Sequence, residues 1–189
     1  MSTTTRWTSA DLERMPDDGN RYEIIDGELY MSTQPHFYHQ FVCSRFDYQL
    51  GKWNEEARLG EVAIAPGLIF AEDDDVAPDI VWISNARLAA ALRSDGKLHD
   101  APDLVIEVLS PGSVNERRDR EAKLKLYSRR GVSEYWIASW QTRTVDVYRR
   151  DEELKLVGTL GETDTLQSPV LPGFSCPVSV LFERVPIGE

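Results

Sequence analysis

An acidic residue interrupts an apolar run near the middle of the sequence. Glu107 lies inside the run LVIEVL at positions 104–109, and an apolar run of this length, bounded by turn residues, is typical of a buried strand. An ionised carboxylate loses its hydration on burial, which costs free energy unless a partner is present. The sequence therefore requires either a functional site at Glu107 or a different secondary structure for this run.

A charged helix is predicted directly after this strand. Ser113 and Glu116 have the spacing of a capping box, and Gly131 fits the position after the last helical turn. At about 100° per residue, Lys123 lies in the middle of the apolar face of this helix. A lysine there either extends its amine to the surface or pairs with an acid, so Lys123 is a candidate partner for Glu107.

A second acid stands at the start of another apolar run. Asp79 comes directly before IVWI at positions 80–83. Two carboxylates on neighbouring strands repel each other unless a cation lies between them, and Mg²⁺ prefers oxygen ligands. Asp79, Glu107 and Lys123 are the set that metal-dependent phosphodiester hydrolysis needs, because the metal activates water and the lysine stabilises developing charge. Taken singly, each acid is more typical of a strand end or of the surface.

The charge distribution limits the partners of the protein. The chain of 189 residues has a net charge of −11, which argues against a general nucleic-acid-binding protein, because such proteins are usually basic. Segment 116–130 nevertheless holds seven basic and three acidic residues, a local charge of +4, so the remainder carries −15. This helix could contact a polyanion, although a solvated helix face is the simpler interpretation.

The sequence also indicates a cytoplasmic protein. No run approaches the roughly 18 apolar residues of a membrane span, and the N-terminal residues lack the features of a signal peptide. Cys43 and Cys176 have no short spacing, which favours free thiols in the core of a protein kept in a reducing compartment. With only His36, His39 and His99 as further ligands, and without metal-ligand spacing, a tetrahedral zinc site is not expected.

The remaining sequence predicts one α/β domain with a mixed sheet. Asp26 and Gly27 separate two β-rich runs, which is a strong hairpin signal. A short helix is predicted to start after Thr8, a long helix over about 36–56 and a small helix over about 85–93.

The other elements are short. The acidic residues 72–75 are interpreted as an exposed turn, with a cation-binding loop as the alternative. Further strands are predicted at 61–64, 67–70, 76–83, 134–138, 144–148, 155–157 and 170–171, and 178–182 is predicted to be either a helix or a strand.

Several of these motifs resemble the Uma-two family of proposed restriction endonucleases, which belongs to the PD-(D/E)XK nuclease superfamily. The resemblance extends over about residues 7–182. It rests on short segments at 22–29, 39–40, 78–79, 107–111 and 123–136. Leu109 occupies the usual lysine position of the superfamily, but the family pattern puts the lysine on the following helix, where it matches Lys123. The sequence departs from the family pattern at Ser139 and Trp140, which replace a frequent Asp-Pro.

The resemblance implies a restriction-endonuclease-like core in the α/β (α+β) class. Its elements would follow the order αβββαβ, with a mixed central sheet flanked by helices and with an N-terminal hairpin. Within a single domain of residues 1–189, we expect the helix and hairpin at about 8–32, the nuclease core at about 36–149, and C-terminal strands and a tail at 150–189.

The resemblance also implies the site residues. Asp79 and Glu107 would bind Mg²⁺, with Mn²⁺ as a substitute, and Lys123 would act beside them from the following helix. Glu23 corresponds to a further acid of the family and would be an additional catalytic residue and outer metal ligand. His39 and Gln40 match accessory positions of the family whose role is open.

The sequence therefore favours a Mg²⁺-dependent endonuclease that hydrolyses DNA phosphodiester bonds. The alternative is a catalytically silent protein of the same fold that binds DNA or another protein. A serine or cysteine hydrolase is disfavoured, because the sequence has no Gly-x-Ser-x-Gly motif. Nucleases that cut both strands often act as two-fold dimers, so a homodimer is expected. Trp140 and Tyr148 would either form its interface or belong to the core.

Overall fold

The computed structural model describes residues 6–186 of the chain, which contain both helices and strands. The helices are α1 (Ser9–Leu12), α2 (Phe37–Ala57), α3 (Asn85–Ala91), α4 (Ser113–Arg117), α5 (Leu124–Arg130) and α6 (Val178–Phe182), and a π-helical turn over Arg118–Lys123 joins α4 to α5. The strands are β1 (Arg21–Ile25), β2 (Glu28–Ser32), β3 (Gly60–Ile64), β4 (Leu68–Ala71), β5 (Asp74–Val76), β6 (Ile80–Ser84), β7 (Leu104–Val108), β8 (Glu134–Ser139), β9 (Thr144–Arg150), β10 (Leu154–Leu160), β11 (Thr165–Gln167) and β12 (Ser175–Pro177).

A six-stranded sheet forms the centre of the fold, with the strand order β10-β9-β8-β7-β6-β3. Strands β7 and β8 are parallel and the other neighbours are antiparallel, so the sheet is mixed. The segment from α4 through the π-helical turn to α5 is the crossover that a parallel pair requires. The order α2, β3, β6, β7, crossover and β8 matches the predicted αβββαβ core, and helices flank the sheet as expected.

A second, antiparallel sheet carries the predicted hairpin. Its strand order is β2-β1-β5-β4. Asp26 and Gly27, between β1 and β2, have positive φ values of 54° and 76°, which is the conformation that a two-residue type I′ turn needs. The hairpin prediction is therefore confirmed.

The side chains of β7 alternate between the two faces of the central sheet, as in any strand. Leu104, Ile106 and Val108 pack in a core cluster that includes residues of α2. Val105 packs in the cluster on the opposite face, together with residues of α5. Glu107 lies two residues after Val105 and therefore points to the same face of the sheet. Its side chain faces the crossover helix and not α2.

The interpretation of residues 72–75 as an exposed turn is correct for residues 72–73, which form a turn with Glu72 exposed, and wrong for residues 74–75. Asp74 and Asp75 begin β5 and are both buried. Asp74 is paired with Arg129 and Arg130 at the end of α5, so side chains of the same protein balance its charge. The alternative of a cation-binding loop is therefore not supported.

Two further strand predictions need correction. The predicted strand 76–83 is divided between the two sheets, because β5 ends at Val76 and β6 begins at Ile80. Pro78 lies between them and has no N–H to donate to a strand neighbour. Residues 170–171 lie in a turn, and the strand of this region is β11 instead.

The interpretation of the basic segment as a solvated helix face is also wrong. Arg118 and Lys123 are buried, and Arg120 pairs with Asp146. The last two arginines of α5 bind Asp74. Most of these cations thus neutralise acids of the same chain.

The C-terminal elements complete the first core cluster. Residues of β11, β12 and α6 pack there, and 178–182 is a helix. Trp140 is half-buried against this cluster and Tyr148 against the second one, which favours their assignment to the core. Within residues 6–186, no helix is both long and apolar enough to cross a membrane.

Candidate active site

A cavity of about 230 Å³ opens beside the end of β7. Its walls come from β1, the loop after β2, the start of α2, the residue before β6, the end of β7 and the π-helical turn. The predicted site residues all line it: Glu23, His39, Gln40, Asp79, Glu107 and Lys123. These residues come from widely separated parts of the sequence, so only the folded chain has this cavity.

Asp79 lies directly before β6 and is fixed by two donors on one oxygen. The backbone N–H of Val108 donates to Oδ2 at 2.9 Å, and Nε2 of His39 lies 3.2 Å from the same atom. The other oxygen, Oδ1, lies 3.6 Å from Nη1 of Arg21. Strand β7 and helix α2 therefore set the orientation of this carboxylate, with Oδ1 turned towards Arg21.

Lys123 joins three carboxylates. Its Nζ lies 2.9 Å from Oε1 of Glu107 and 2.9 Å from Oε1 of Glu23, and 3.8 Å from Oδ1 of Asp119. The hydroxyl of Tyr127 donates to the same oxygen of Glu107 at 3.0 Å. The predicted pair of Glu107 and Lys123 thus meets, and Glu23 joins it from the second sheet.

The π-helical turn brings two charged side chains that the sequence analysis missed. Arg118 Nε donates to Oδ1 of Asp119 at 3.1 Å, and its Nη1 lies 3.6 Å from Oε2 of Glu23. Both side chains are buried. On an α-helical wheel, Asp119 shares the apolar face with Lys123 and could have been found, whereas Arg118 lies outside that face. The π-helical turn has i→i+5 hydrogen bonds, so the angle between successive side chains differs from that of an α-helix, and Arg118 is buried.

The charge states follow from burial and from the lysine. Burial raises the pKa of Glu107 to about 8; Lys123 opposes this rise and Asp79 adds to it. Burial also acts to raise the pKa of Glu23, but Lys123 outweighs it and the pKa is lowered. For Lys123 itself, burial favours the neutral amine, yet Glu107 and Glu23 raise the pKa above its ordinary value. In the metal-free protein, the neighbouring carboxylates therefore favour the protonated form of Lys123.

The buried charges around the cavity do not balance. Four buried carboxylates meet two buried cations among the described residues, the acids being Glu23, Asp79, Glu107 and Asp119 and the cations Arg118 and Lys123. A divalent cation would add positive charge here and favour the ionised form of Glu107, whose pKa is raised in the metal-free protein. Among the described residues, both donors to Glu107 bind Oε1, so its Oε2 and Oδ1 of Asp79 could serve as ligands of a hard cation such as Mg²⁺. The residues present therefore fit this metal.

His39 links Asp79 to Cys43. Ligand atoms of these three buried residues lie within 4.8 Å of one another, a spacing that a metal ion could also bridge. Burial strongly raises the pKa of the Cys43 thiol, so in the metal-free protein this side chain is a thiol and not the thiolate that a metal binds. Since Nδ1 of His39 lies 3.7 Å from Sγ of Cys43, the group fits a hydrogen-bonded chain that directs the Nε2–H of His39 towards Asp79. Gln40, one residue further, is exposed at the cavity.

The fold is shared with a solved protein. A DUF820 protein from Anabaena variabilis, described as a "putative nuclease", is similar over 95% of this chain and 99% of its own, with a TM-score of 0.75 and 18% identity. At 18% identity, the similarity concerns only the fold. This fold is the restriction-endonuclease-like fold that the sequence analysis predicts. The type IIG restriction endonuclease BpuSI is similar over 78% of this chain and 15% of its own, with 15% identity and a TM-score of 0.38, too low to support an argument.

The family assignment comes from the sequence. No curated protein matches the chain. The model of the Uma2 family, described as "Putative restriction endonuclease", matches residues 9–179. This range includes all of the residues that surround the cavity. The chain therefore belongs to the Uma2 family of restriction-endonuclease-like proteins.

Proposed function

We propose that this protein is a Mg²⁺-dependent endonuclease that hydrolyses phosphodiester bonds of DNA. The observation that carries the proposal is the excess of buried carboxylates around Lys123, with one oxygen each of Asp79 and Glu107 left for a cation. A bound Mg²⁺ would polarise a phosphoryl oxygen and lower the pKa of a water molecule. Membership of the Uma2 family supports the same reaction class.

The residues of the chain would have separate roles. Asp79 and Glu107 would bind the metal, and His39 and the Val108 N–H would keep Asp79 in position. Lys123 would stabilise the negative charge that develops on the phosphate, since it is protonated and close to Glu107. Glu23 would hold Lys123 and complete the outer shell of the metal.

Duplex DNA has two strands of opposite direction, so a two-fold homodimer would present one site to each strand. We include such a homodimer in the proposal. Two apolar side chains on β10, the edge strand of the central sheet, are exposed: Leu156 and Val157. Light scattering at micromolar protein concentration measures the molar mass and so tests the proposed homodimer. A monomeric mass in the presence of DNA would contradict it.

Plasmid cleavage tests the reaction. We expect the wild type to cut in Mg²⁺ or Mn²⁺ and not in EDTA, and we expect Asp79→Asn and Glu107→Gln to lower the rate by roughly 10²-fold or more. Glu28→Gln removes an exposed acid of the hairpin and serves as the matched control with full activity. Equal cleavage by the wild type and both site variants would assign the activity to a contaminant.

One observation favours the alternative of a catalytically silent protein. Lys123 already contacts Glu23, Glu107 and Asp119, so part of the charge is neutralised without a metal. Calorimetric titration separates the two functions. Saturable binding of Mn²⁺ that is lost in Asp79→Asn supports the nuclease, whereas no binding at millimolar Mn²⁺ supports the silent protein.

A further inference from the structure

One cation of the cavity differs from the others in its exposure and in its contacts. Arg21 begins β1, and its side chain points to the same face of the strand as Glu23, two residues later. The side chain of Arg21 is 39% exposed, whereas those of Arg118 and Lys123 are 9% and 1% exposed. Arg21 is thus accessible to a ligand that approaches from solvent.

The contacts of Arg21 are also weak. Its Nη1 donates to the backbone oxygen of Ala77 at 3.2 Å. The distance from Nη1 to Oδ1 of Asp79 is 3.6 Å, which is an ionic contact and too long for a hydrogen bond. A guanidinium has five donors in a planar fork, so most of the binding capacity of Arg21 is not used by the residues that the structure describes.

The position of Arg21 places it in competition with a metal ion. Oδ2 of Asp79 is occupied by Val108 and His39, so Oδ1, the oxygen that faces Arg21, is the one for the metal. A divalent cation at Oδ1 would repel the guanidinium. A phosphate bound to that cation would attract it, because arginine binds phosphate oxygens through two parallel hydrogen bonds.

We propose that Arg21 exchanges partners during the reaction: it holds Asp79 in the free protein and moves to the DNA phosphate when the metal binds. The proposal rests on the proposed function and assigns Arg21 as its phosphate-binding residue. It has an unusual consequence, because removal of Arg21 should strengthen metal binding and weaken DNA binding. General structural damage would weaken both.

The test compares Arg21→Gln, Arg21→Lys and the wild type. In Mn²⁺ titrations without DNA, we expect Arg21→Gln to bind the metal roughly 2- to 10-fold more tightly, as loss of a partly exposed ion pair predicts. In DNA-binding titrations with Ca²⁺, we expect Arg21→Gln to bind roughly 10- to 100-fold more weakly, with a salt dependence that is smaller by about one phosphate contact. Arg21→Lys, which keeps the charge, should be intermediate in both.

Two controls complete the test. Arg14→Gln removes an arginine whose side chain is 79% exposed and lies outside the cavity, and both affinities should stay at the wild-type values. Thermal unfolding in EDTA checks that the Arg21 variants are folded. Unchanged or weaker Mn²⁺ binding by folded Arg21→Gln, or unchanged DNA binding, overturns the role of Arg21 alone. Absence of Mn²⁺ binding by the wild type overturns the proposed function as well.

Discussion

Lys123 determines whether three acids can be buried next to one another. Its amine contacts Glu23, Glu107 and Asp119 and is itself 1% exposed. Without it, three carboxylates would share a site from which water is largely excluded. The stability of the fold and the chemistry of the site therefore depend on the same side chain.

We expect Lys123→Met to lower the free energy of unfolding by about 3–5 kcal/mol at pH 8 in EDTA, because unpaired buried charges remain. The loss should be smaller near pH 5, where the acids can take up protons. Urea denaturation at both pH values measures it. Lys125→Met changes an exposed lysine two positions later and should differ from the wild type by less than about 0.5 kcal/mol. Equal losses in the two variants would contradict the role of the buried amine.

Asp75 allows a separate pH prediction. It is buried, and its Oδ2 has no hydrogen-bond partner within the described residues. Burial raises the pKa of Asp75, with Ser9, Lys97 and His99 opposing the rise. A carboxyl group with a raised pKa in the folded state stabilises the fold at low pH, and this contribution is lost as the pH rises above the unfolded value.

We therefore expect Asp75→Asn to flatten the pH dependence of stability. Between about pH 4 and pH 8, the free energy of unfolding of the variant should fall less than that of the wild type. Guanidinium titrations at several pH values measure the difference. Parallel pH profiles of the two proteins would show that Asp75 does not titrate with a raised pKa.

The residues that could be predicted are those that break a periodic pattern. Glu107 interrupts a strand and Lys123 lies on an apolar helix face, so each stands out against its neighbours. Arg21 and Arg118 do not, because charged residues at a strand start or within a charged helix are common. Glu23 was identified only through the family resemblance, since no feature of a short hairpin strand distinguishes a site acid from a surface one.

At the scale of elements, the crossover between β7 and β8 joins the site to the second sheet. Its π-helical turn lines the cavity, and the two arginines that end α5 bind Asp74 of β5. Asp74 is 1% exposed, and the two arginine side chains are 33% and 31% exposed. This contact fixes the end of the crossover helix to the sheet that supplies Glu23.

We expect Asp74→Ala to lower the free energy of unfolding by about 1.5–3 kcal/mol, the value of charged hydrogen bonds whose remaining partners can turn towards water. Asp73→Ala is the matched control, because Asp73 pairs with the largely exposed Arg6, and its loss should be at most about 1 kcal/mol. Urea denaturation compares the two. A smaller loss for Asp74→Ala than for Asp73→Ala would contradict the buried contact.

Boundaries of elements were predictable where the turn residues are specific. Asp26 and Gly27 define the hairpin because both adopt positive φ, and Gly131 ends α5 in the left-handed conformation. The π-helical turn has no such residue, and the acids at 72–75 look like a loop because sequence cannot show that arginines 55 residues later neutralise Asp74. Contacts between residues that lie far apart in the sequence cannot be predicted from local sequence patterns.

At the scale of the whole molecule, the C-terminal segment contributes to the main core. Phe182 of α6 is fully buried, with Phe174 and Leu181 in the same cluster as the residues of α2. These side chains cover the face of the central sheet opposite to the crossover helix. Residues beyond the expected range 36–149 therefore pack against this face of the central sheet.

Truncation of one aromatic ring tests this dependence. We expect Phe182→Ala to lower the free energy of unfolding by about 3–5 kcal/mol, through lost burial and a cavity. Phe37→Ala removes a ring that is 71% exposed and should cost less than about 1 kcal/mol. Thermal and urea unfolding measure both. A loss below 1 kcal/mol for Phe182→Ala would show that α6 is an accessory to the core.

The spread of the cavity residues along the chain also governs when the cavity forms during synthesis. One hundred residues separate Glu23 from Lys123, and contacts over such separations form slowly compared with local ones. While the crossover helix is still inside the ribosome, the acids of the growing chain have no lysine partner and remain hydrated. A nascent chain therefore carries the individual groups without the cavity, which forms only after the segment with Lys123 has left the ribosome and folded against the strands.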